Sequence, residues 1–353
     1  MRTLLKPLSL ALFVAATLPT QSAYIRTSPP SDTIPAIEPS PSFCKAIGGK
    51  NLDWGNSLIQ TSDGGYAIAG TTSSFGAGEV DVYVVKLDAN GKLQWTRTIG
   101  GPASEAGNSL IQTSDGGYVI AGATTSFGAA EANVYVVKLD AKGNLQWTKT
   151  IGGEYLIVGF SLTQTSDGGY AIAGYTYSFG AGKSDVYVIK LDANGNLQWT
   201  KTIGGKKRDV GRSLIQTSDG GYAIAGHSFG AGGNDVYLVK LDANGNLQWT
   251  KTIGGPNGEG ILLFHVPDDI IQTSDGGYAI AGGTKSFGAG GMDVYVVKLD
   301  KNGNACCAVS QTSQVGSGGT LSSATPSISS GGTLTIPPTP STSSGGTLNN
   351  QCP

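Results

Sequence analysis

The tetrapeptide Asp-Gly-Gly-Tyr occurs five times along the chain, and successive copies are 52, 52, 52 and 56 residues apart. A tryptophan follows four of the copies at a similar distance. Near-identical units of this length indicate a repeat architecture, in which each unit buries its apolar surface against its neighbours. The copies begin at Asp63, Asp115, Asp167, Asp219 and Asp275.

Each unit contains four strand-like segments separated by turn sequences. In the first copy these are SLIQT from Ser57, YAIAG from Tyr66, DVYVVKL from Asp81 and LQWTRTI from Leu93. Asp-Gly and Asn-Gly sequences between them favour tight hairpin turns, and no segment has a useful helical period. The third segment is apolar almost throughout, which indicates cover on both faces. Four antiparallel strands sandwiched between like units are typical of a β-propeller blade.

The two ends of the repeat region predict how a ring of blades closes. Residues 42–49 (SFCKAIGG) align with a fourth strand, with Phe43 in the tryptophan position. The fifth copy lacks a fourth strand, because residues 305–308 (ACCA) follow its last turn. Pairing the two pieces would remove the exposed sheet edges. We therefore expect an all-β fold: a five-bladed β-propeller of four-stranded antiparallel blades over residues 42–310, closed by an N-terminal strand that completes the last blade.

The repeated unit resembles the kelch-type β-propeller repeat over residues 42 to 310. The segment YAIAG from Tyr66 is similar to the kelch second strand. Residues 82–88, followed by Asn90-Gly91 and Trp95, are similar to its third strand, turn and fourth-strand tryptophan. The unit looks closer still to the DGGYxxAG…DANGNLQW repeats of secreted or surface proteins of bacteria and archaea. This resemblance implies an extracellular propeller with no known catalytic motif.

The flanking segments have the composition of targeting and linking sequences. Residues 1–23 form a signal peptide pattern, with Arg2 and Lys6 before a short apolar stretch that is too short for a stable membrane anchor. Residues 24–41 are a Pro/Ser-rich linker. Residues 311–353 are rich in Ser, Gly, Thr and Pro and are expected to be a disordered tail, with a cell-envelope tether or a glycosylated stalk as the alternative. The predicted location is secreted or in the cell envelope, with no transmembrane segment after signal removal.

Charge and cysteine content restrict the classes of partner. The formal net charge is −2, which argues against a nucleic-acid-binding surface. The four cysteines are interpreted as disulfide-forming, because bridges persist outside the cell and no metal-ligand spacing accompanies them. One bridge from the orphan strand to either of two vicinal cysteines would lock the closure, and the connectivity stays open. No metal or cofactor is expected, and the chain is expected to be a monomer. The cysteines are Cys44, Cys306, Cys307 and Cys352.

Candidate binding residues lie in two kinds of loop. A phenylalanine precedes a glycine between the second and third strands of every copy, and its ring either fills the core or stacks on sugars. The connections from fourth to first strand differ between copies whose strands are almost identical, and loops carry specificity on a rigid scaffold. Random drift of exposed loops is the alternative. The phenylalanines are Phe75, Phe127, Phe179, Phe229 and Phe287. The residues predicted from the connections and nearby loops are Tyr155, Lys206, Lys207, Arg208, His227, Phe264 and His265.

Three functions are compatible with these patterns. The leading hypothesis is a non-enzymatic binding or scaffold module for an unknown extracellular protein or glycan. A lectin with repeated shallow sites is the first alternative. A polysaccharide hydrolase or lyase is the second, and it would need Glu105, Glu154, Asp209 or Asp269 to converge on one site. A lysine also recurs two residues before an aspartate, as in Lys86 and Asp88, and could pair with it or remain solvated.

Overall fold

A computed structural model describes residues 42–128, 131–181, 183–229, 234–254, 269–285 and 293–305, together with five short segments of the C-terminal region. All of the named elements in these ranges are β-strands, and they form repeated antiparallel sheets. Strand β1 spans Ala46–Gly48.

The first four sheets each take four consecutive strands of the chain in order. Sheet 1 contains β2 (Asp53–Gln60), β3 (Tyr66–Thr72), β4 (Asp81–Leu87) and β5 (Leu93–Gly100). Sheet 2 contains β6 (Glu105–Gln112), β7 (Tyr118–Thr124), β8 (Asn133–Leu139) and β9 (Leu145–Gly152). Sheet 3 contains β10 (Ile157–Gln164), β11 (Tyr170–Thr176), β12 (Asp185–Leu191) and β13 (Leu197–Gly204). Sheet 4 contains β14 (Asp209–Gln216), β15 (Tyr222–Phe229), β16 (Asn234–Leu241) and β17 (Leu247–Gly254).

Sheet 5 has three strands, and the C-terminal region adds five short ones. The strands of sheet 5 are β18 (Asp269–Gln272), β19 (Tyr278–Thr284) and β20 (Asp293–Leu299). The C-terminal strands are β21 (Gln314–Gly316), β22 (Thr320–Ser323), β23 (Ser327–Ser329), β24 (Thr333–Thr335) and β25 (Ser341–Ser343).

The repeated turns set the register of each sheet. In the turn between β2 and β3, the amide of Thr61 donates to the carbonyl of Gly65, and Gly64 has a φ of 78°. Glycine reaches this left-handed conformation without the steric cost that other residues incur. The first strand then carries a β-bulge between Gly55 and Ser57, and the same irregularity recurs in the first strands of sheets 2, 3 and 4.

Neighbouring sheets pack face to face through their third strands. Every residue of β4 is buried, as the continuous apolar sequence predicts for a strand covered on both faces. Val82, Val84 and Ile99 of sheet 1 form one core cluster with Tyr118 and Ile120 of sheet 2. The same contact pattern repeats between sheets 2 and 3, 3 and 4, and 4 and 5. The fold is therefore a propeller-like stack of repeated four-stranded antiparallel sheets.

The predicted ring closure is not confirmed. Strand β1 pairs with β25 and not with β20, and sheet 5 has no fourth strand among the described residues. Burial alternates along β20, where Val294 is 83% exposed and Val296 is 66% exposed. At the other end of the stack, Trp54 and Leu58 are 51% and 65% exposed. The outward faces of sheets 1 and 5 are thus incompletely covered.

The C-terminal region differs from the disordered tail that its composition predicts. Strands β21, β22, β23 and β24 add a fifth strand to sheets 4, 3, 2 and 1 in that order, each antiparallel to the fourth strand. The open edge of a fourth strand offers unpaired backbone groups, which another backbone can satisfy whatever its side chains are. The composition argument considered only apolar burial, and it therefore missed this backbone pairing.

Candidate functional site

The repeated lysine pairs with the aspartate of the Asp-Gly-Gly turn, and not with the aspartate that follows it in sequence. The Nζ atom of Lys86 lies 2.9 Å from an Oδ atom of Asp63 and also donates to the carbonyl of Leu87 at 2.9 Å. The pair recurs in all five copies. The downstream residue Asp88 instead accepts backbone N–H bonds within its own turn. The sequence held a signal for this partner, because the lysine of the third strand and the aspartate of the Asp-Gly-Gly turn recur together in every copy.

This arrangement is structural and lies at the end of the sheets where the first strand turns into the second. The hydroxyl of Thr61 donates to Asp63, and this bond and the Lys86 ammonium lower the pKa of the carboxyl to about 2. Lys86 is buried and Asp63 is exposed. Because the same pair occurs in every sheet, it stabilises the repeat and does not distinguish one sheet from another.

The loop phenylalanines pack against the third strand that follows each loop. The ring centroid of Phe75 lies 5.8 Å from that of Tyr83, and Phe127 lies 5.7 Å from Tyr135. Phe179 makes the same contact with Tyr187 at 5.9 Å.

The placement of the remaining loop phenylalanines is less uniform. Phe75, Phe127 and Phe179 are half-buried, whereas Phe229 is 47% exposed at the end of β15. Phe287 lies outside the described residues.

The connections from fourth to first strand have equal length in the first four sheets. They read GKNL before sheet 1, GPAS before sheet 2, GEYL before sheet 3 and GKKR before sheet 4. Tyr155 is 58% exposed, and Lys206 and Lys207 are also exposed. Arg208 is half-buried, and its carbonyl accepts the amide of Phe229 at 2.9 Å. Phe264 and His265 lie outside the described residues.

His227 lies in β15 rather than in an exposed loop. It is 8% exposed, and its Nδ1 atom has no hydrogen-bond partner. Burial, together with the positive charges of Arg212 and Arg208, lowers the pKa of the imidazole to about 4. The ring is therefore neutral near pH 7, and it lies close enough to Arg212 and Arg208 to feel their charges.

The carboxylates required by a hydrolase are not alike in their surroundings. Glu105 and Asp209 are 1% and 3% exposed. Each accepts, at 2.7 Å, the amide of the glycine that directly follows the preceding fourth strand. Glu154 and Asp269 are exposed.

Glu105 has a second carboxyl close to it. A Cβ atom at Gly100 would meet an Oδ atom of Asp81 and an Oε atom of Glu105, so these oxygens lie close together between sheets 1 and 2. Burial, with the nearby charge of Glu105, raises the pKa of Asp81.

A cavity of about 210 Å³ lies between β1 and sheet 1. Phe43 and Ile47 line it from the N-terminal side, and Trp54, Ile68 and Tyr83 line it from the sheet. Phe43 contacts Tyr66 at a centroid distance of 5.6 Å, the distance at which Trp95 contacts Tyr118. The cavity is thus the position that a preceding sheet would fill.

Metal-binding and membrane-spanning features are not found in the described ranges. Those residues contain no group of three or more His, Cys, Asp or Glu side chains that could hold a metal ion. Within the same ranges no helix has the length and hydrophobicity needed to cross a membrane. Cys44 is exposed with a free thiol. Cys306, Cys307 and Cys352 lie outside the described residues, so the disulfide pairing stays a prediction.

The repeated sheets and their diverging connections define a propeller-type repeat protein. A family model described as outer membrane protein assembly factor BamB matches residues 48–267. The chain belongs to this family. The match does not confirm the specific resemblance to the kelch repeat.

Individual relatives are more distant. The chain is 25% identical over 200 residues to the regulatory protein FlaEY of Caulobacter vibrioides, which covers 50% of this chain and 20% of that protein. It therefore spans about a fifth of that relative's length.

Solved structures similar to the chain include two bacterial proteins. A protein of unknown function from Dyadobacter fermentans has 12% identity and a TM-score of 0.44, with 79% of this chain and 87% of that one covered. An endo-arabinase from Bacteroides thetaiotaomicron has 10% identity and a TM-score of 0.37, with 73% and 98% covered.

Proposed function

We propose that the chain is a non-enzymatic binding and scaffold module that acts outside the cell, where the signal-like residues 1–23 would direct it. It recognises an extracellular protein or glycan through the connections from fourth to first strand. One observation carries this proposal: connections of equal length differ in sequence between sheets whose third and fourth strands are almost identical. A rigid scaffold with variable loops is the usual arrangement of a recognition surface. The family description, an assembly factor, agrees with a binding role.

The positions of the loop phenylalanines and of the carboxylates favour binding through the connections over a lectin or a hydrolase. The rings of Phe75, Phe127 and Phe179 pack on strand tyrosines. This packing leaves less ring surface free to stack on sugars than a lectin with five equivalent sites would need. Glu105 and Asp209 are buried between sheets and accept backbone amides, so a substrate cannot reach them without rearrangement.

We also propose that the five blades close into a ring in solution, with β1 as the fourth strand of sheet 5. The packing of Phe43 on Tyr66 supports this, because it repeats the contact of each tryptophan with the next sheet. The exposed Val294 and Val296 support it as well, since closure would bury them against sheet 1. A closed ring would give the binding module a fixed arrangement of its loops.

Exchange of equal-length connections tests the binding role. The full chain is used to capture ligands from arrays of extracellular glycans and proteins. Two variants replace GEYL (153–156) or GKKR (205–208) with GPAS, the sequence before sheet 2. We expect capture to be lost with one or both replacements, while circular dichroism and the urea midpoint stay unchanged. A third variant places GPAS before sheet 1, at residues 49–52, and is the matched control. Capture that survives all three replacements, or turnover of a captured glycan, would overturn the proposal.

A further inference from the structure

The first strands of sheets 3 and 4 depart from the repeat at one position. In sheets 1 and 2 this bulge position is Asn56 or Asn108. Asn108 donates through Nδ2 to the carbonyl of Gly159 at 2.8 Å, which ties it to the next first strand. Sheets 3 and 4 have Phe160 and Arg212 at the same position. An amide link between sheets is thus replaced by an aromatic ring and a guanidinium group.

The second strands of the same two sheets change beside this position. Thr71 in sheet 1 and Ala123 in sheet 2 correspond to Tyr175 in sheet 3 and His227 in sheet 4. The ring centroid of Tyr175 lies 5.6 Å from that of Phe160. These departures therefore adjoin each other in space as well as in the repeat alignment.

The substituted side chains form a continuous strip across sheets 3 and 4. The guanidinium carbon of Arg212 lies 4.2 Å from the centre of the Phe160 ring. Tyr177 contacts Tyr175 edge-on at 5.7 Å. We call Tyr155, Phe160, Tyr175, Tyr177, Arg208 and Arg212 the aromatic–basic strip.

The outer end of the strip presents aromatic surface on a fixed base. Tyr177 is 37% exposed and Tyr155 is 58% exposed. The backbone of Tyr155 is held at both its amide and its carbonyl by the hydroxyl of Ser178, each at 2.8 Å. The amide of Tyr177 donates to the carbonyl of Leu156 at 2.9 Å. Because the backbone of both tyrosines is already held, stacking of their rings on a ligand costs little backbone conformational entropy.

The charge around the strip is mainly positive, although the chain as a whole is slightly acidic. Lys206 and Lys207 are exposed, and Lys183 is exposed on the neighbouring loop, where Ser184 forms a bridge with Arg208. Glu154 is the exposed acidic group next to Tyr155.

One buried polar atom near the arginines of the strip has no hydrogen-bond partner in the protein. His227 is buried beside Arg208 and Arg212, and its Nδ1 has no hydrogen-bond partner. A buried polar atom without a partner costs free energy unless a water or a ligand satisfies it.

We propose that the aromatic–basic strip binds an acidic saccharide, a sugar that carries a carboxylate or sulfate group. The inference rests on the proposed binding function and names its ligand class. Exposed tyrosine rings stack on the apolar face of a sugar ring, and guanidinium and ammonium groups form charge-assisted hydrogen bonds with its anionic group. A neutral ligand would offer no anionic group to the five positively charged side chains of this region, which are Lys183, Lys206, Lys207, Arg208 and Arg212.

Residues from sheet 2 supply variants that the fold already tolerates. Tyr155→Ala, Tyr177→Thr and Arg208→Ser each install the sheet 2 residue at the equivalent position, namely Ala103, Thr125 and Ser104. Thr125→Ala is the matched control in sheet 2. The probes are oligogalacturonate for the carboxylate, a chondroitin sulfate oligosaccharide for the sulfate, and a neutral galactan oligosaccharide, all titrated calorimetrically against the full chain.

We expect at least one acidic probe to bind, with affinity that falls as salt rises, and the neutral probe to bind at least about tenfold more weakly. Each strip variant weakens the acidic probe by about tenfold or more, whereas Thr125→Ala leaves it unchanged. Equal binding of acidic and neutral probes, or unchanged binding by all three variants, overturns the inference.

The array capture separates failure of this inference from failure of the proposed function. If neither acidic probe binds but a protein is captured and then lost on connection exchange, the binding function stands and the saccharide assignment falls. If nothing is captured and no probe binds, both fall.

Discussion

The Nζ atom of Lys190 lies 2.8 Å from an Oδ atom of Asp167, with the lysine side chain 3% exposed and the aspartate 54% exposed. The ammonium also donates to the carbonyl of Leu191 at 2.9 Å. A buried charge is tolerated only when it is paired and hydrogen-bonded, and here the turn supplies both requirements. The pair therefore fixes the hairpin turn of a sheet to the end of its third strand.

Removing this lysine should destabilise the fold more than removing its counterpart in sheet 5. Lys190→Met removes the ammonium that donates to the carbonyl of Leu191 and pairs with Asp167, and we expect a loss of about 1–3 kcal/mol. Lys298 makes the same pair with Asp275, but its side chain is 48% exposed, so Lys298→Met should cost below about 1 kcal/mol. Urea unfolding followed by circular dichroism measures both. If both substitutions lowered the free energy of unfolding equally, burial of the lysine would not determine how much the ion pair stabilises the fold.

Acid should weaken the repeat through the turn carboxylates. The hydrogen bond from Thr61, followed by that from Lys86, lowers the pKa of Asp63 to about 2. A depressed folded pKa stabilises the native state above the unfolded value near 3.8, and this stabilisation is lost as pH falls through about 2. The urea midpoint should therefore decline between about pH 4 and pH 2.

Loss of the hydroxyl provides the comparison for this effect. Thr61→Val should raise the pKa of Asp63. The part of the fall in urea midpoint that Asp63 causes should then occur at higher pH. An NMR titration of the Asp63 carboxyl that is unchanged by the substitution would contradict the hydrogen-bond explanation.

Asp81 should have the opposite pH dependence. Burial, with the charge of Glu105, raises its pKa, so its stabilising contribution is complete below the unfolded value near 3.8 and is lost as pH rises through the raised value. Asn133 occupies the same position in sheet 2, where its Nδ2 donates to the carbonyl of Phe127 at 2.9 Å. Asp81→Asn should therefore raise the urea midpoint at pH 7 and change it less at pH 4.

The converse substitution is the matched control for Asp81. Asn133→Asp places a carboxyl beside Ile157, and it should lower the midpoint at pH 7 more than at pH 4. A midpoint that changes by the same amount at both pH values for Asp81→Asn would show that ionisation of this carboxyl has no part in stability.

The sequence predicted the repeated sheets because period and turn chemistry are local signals. The copies of Asp-Gly-Gly-Tyr mark the first turn of each sheet, and the apolar run from Val82 to Leu87 identified a strand covered on both faces. The partner of Lys86 was left open, because the sequence shows that Asp88 is near Lys86 in the chain but does not show that the hairpin brings Asp63 back beside it.

The aromatic–basic strip was predicted only in part: Tyr155 and Arg208 were named from the connections, whereas its strand residues were not. Phe160 and Arg212 lie inside strands, whereas specificity is expected in the loops of a rigid scaffold. Their contact joins sheets 3 and 4 across residues 52 apart, a distance in sequence that equals the repeat period. The signal for both is in the sequence, because Phe160 and Arg212 replace the asparagine that the first two copies have at this position.

The C-terminal strands should protect the edges of the sheets. The register places Val315 opposite Ile253, Leu321 opposite Ile203 and Ile328 opposite Ile151. Removal of residues 311–353 should expose the edges of the fourth strands, which would then pair between molecules. We expect the truncated chain to form dimers and larger species by light scattering, while a chain that lacks only residues 345–353 stays like the full protein. A truncated chain that is monodisperse, with unaltered hydrogen exchange in β9 and β13, would exclude an edge-covering role.

Closure of the ring is tested by a cross-link designed from the repeat itself. Val82 lies opposite Ile99 in sheet 1, and both belong to one buried cluster. The same register applied to sheet 5 places Val294 opposite Ile47. Ile47→Cys with Val294→Cys, in a Cys44→Ser background, should form an intramolecular disulfide that mass spectrometry locates and that raises the urea midpoint. Ile47→Cys with Val296→Cys is two residues out of register and should cross-link poorly. A cross-link found only between molecules would mean that the exposed end faces join separate chains, and no cross-link in either pair would mean that β1 does not complete sheet 5.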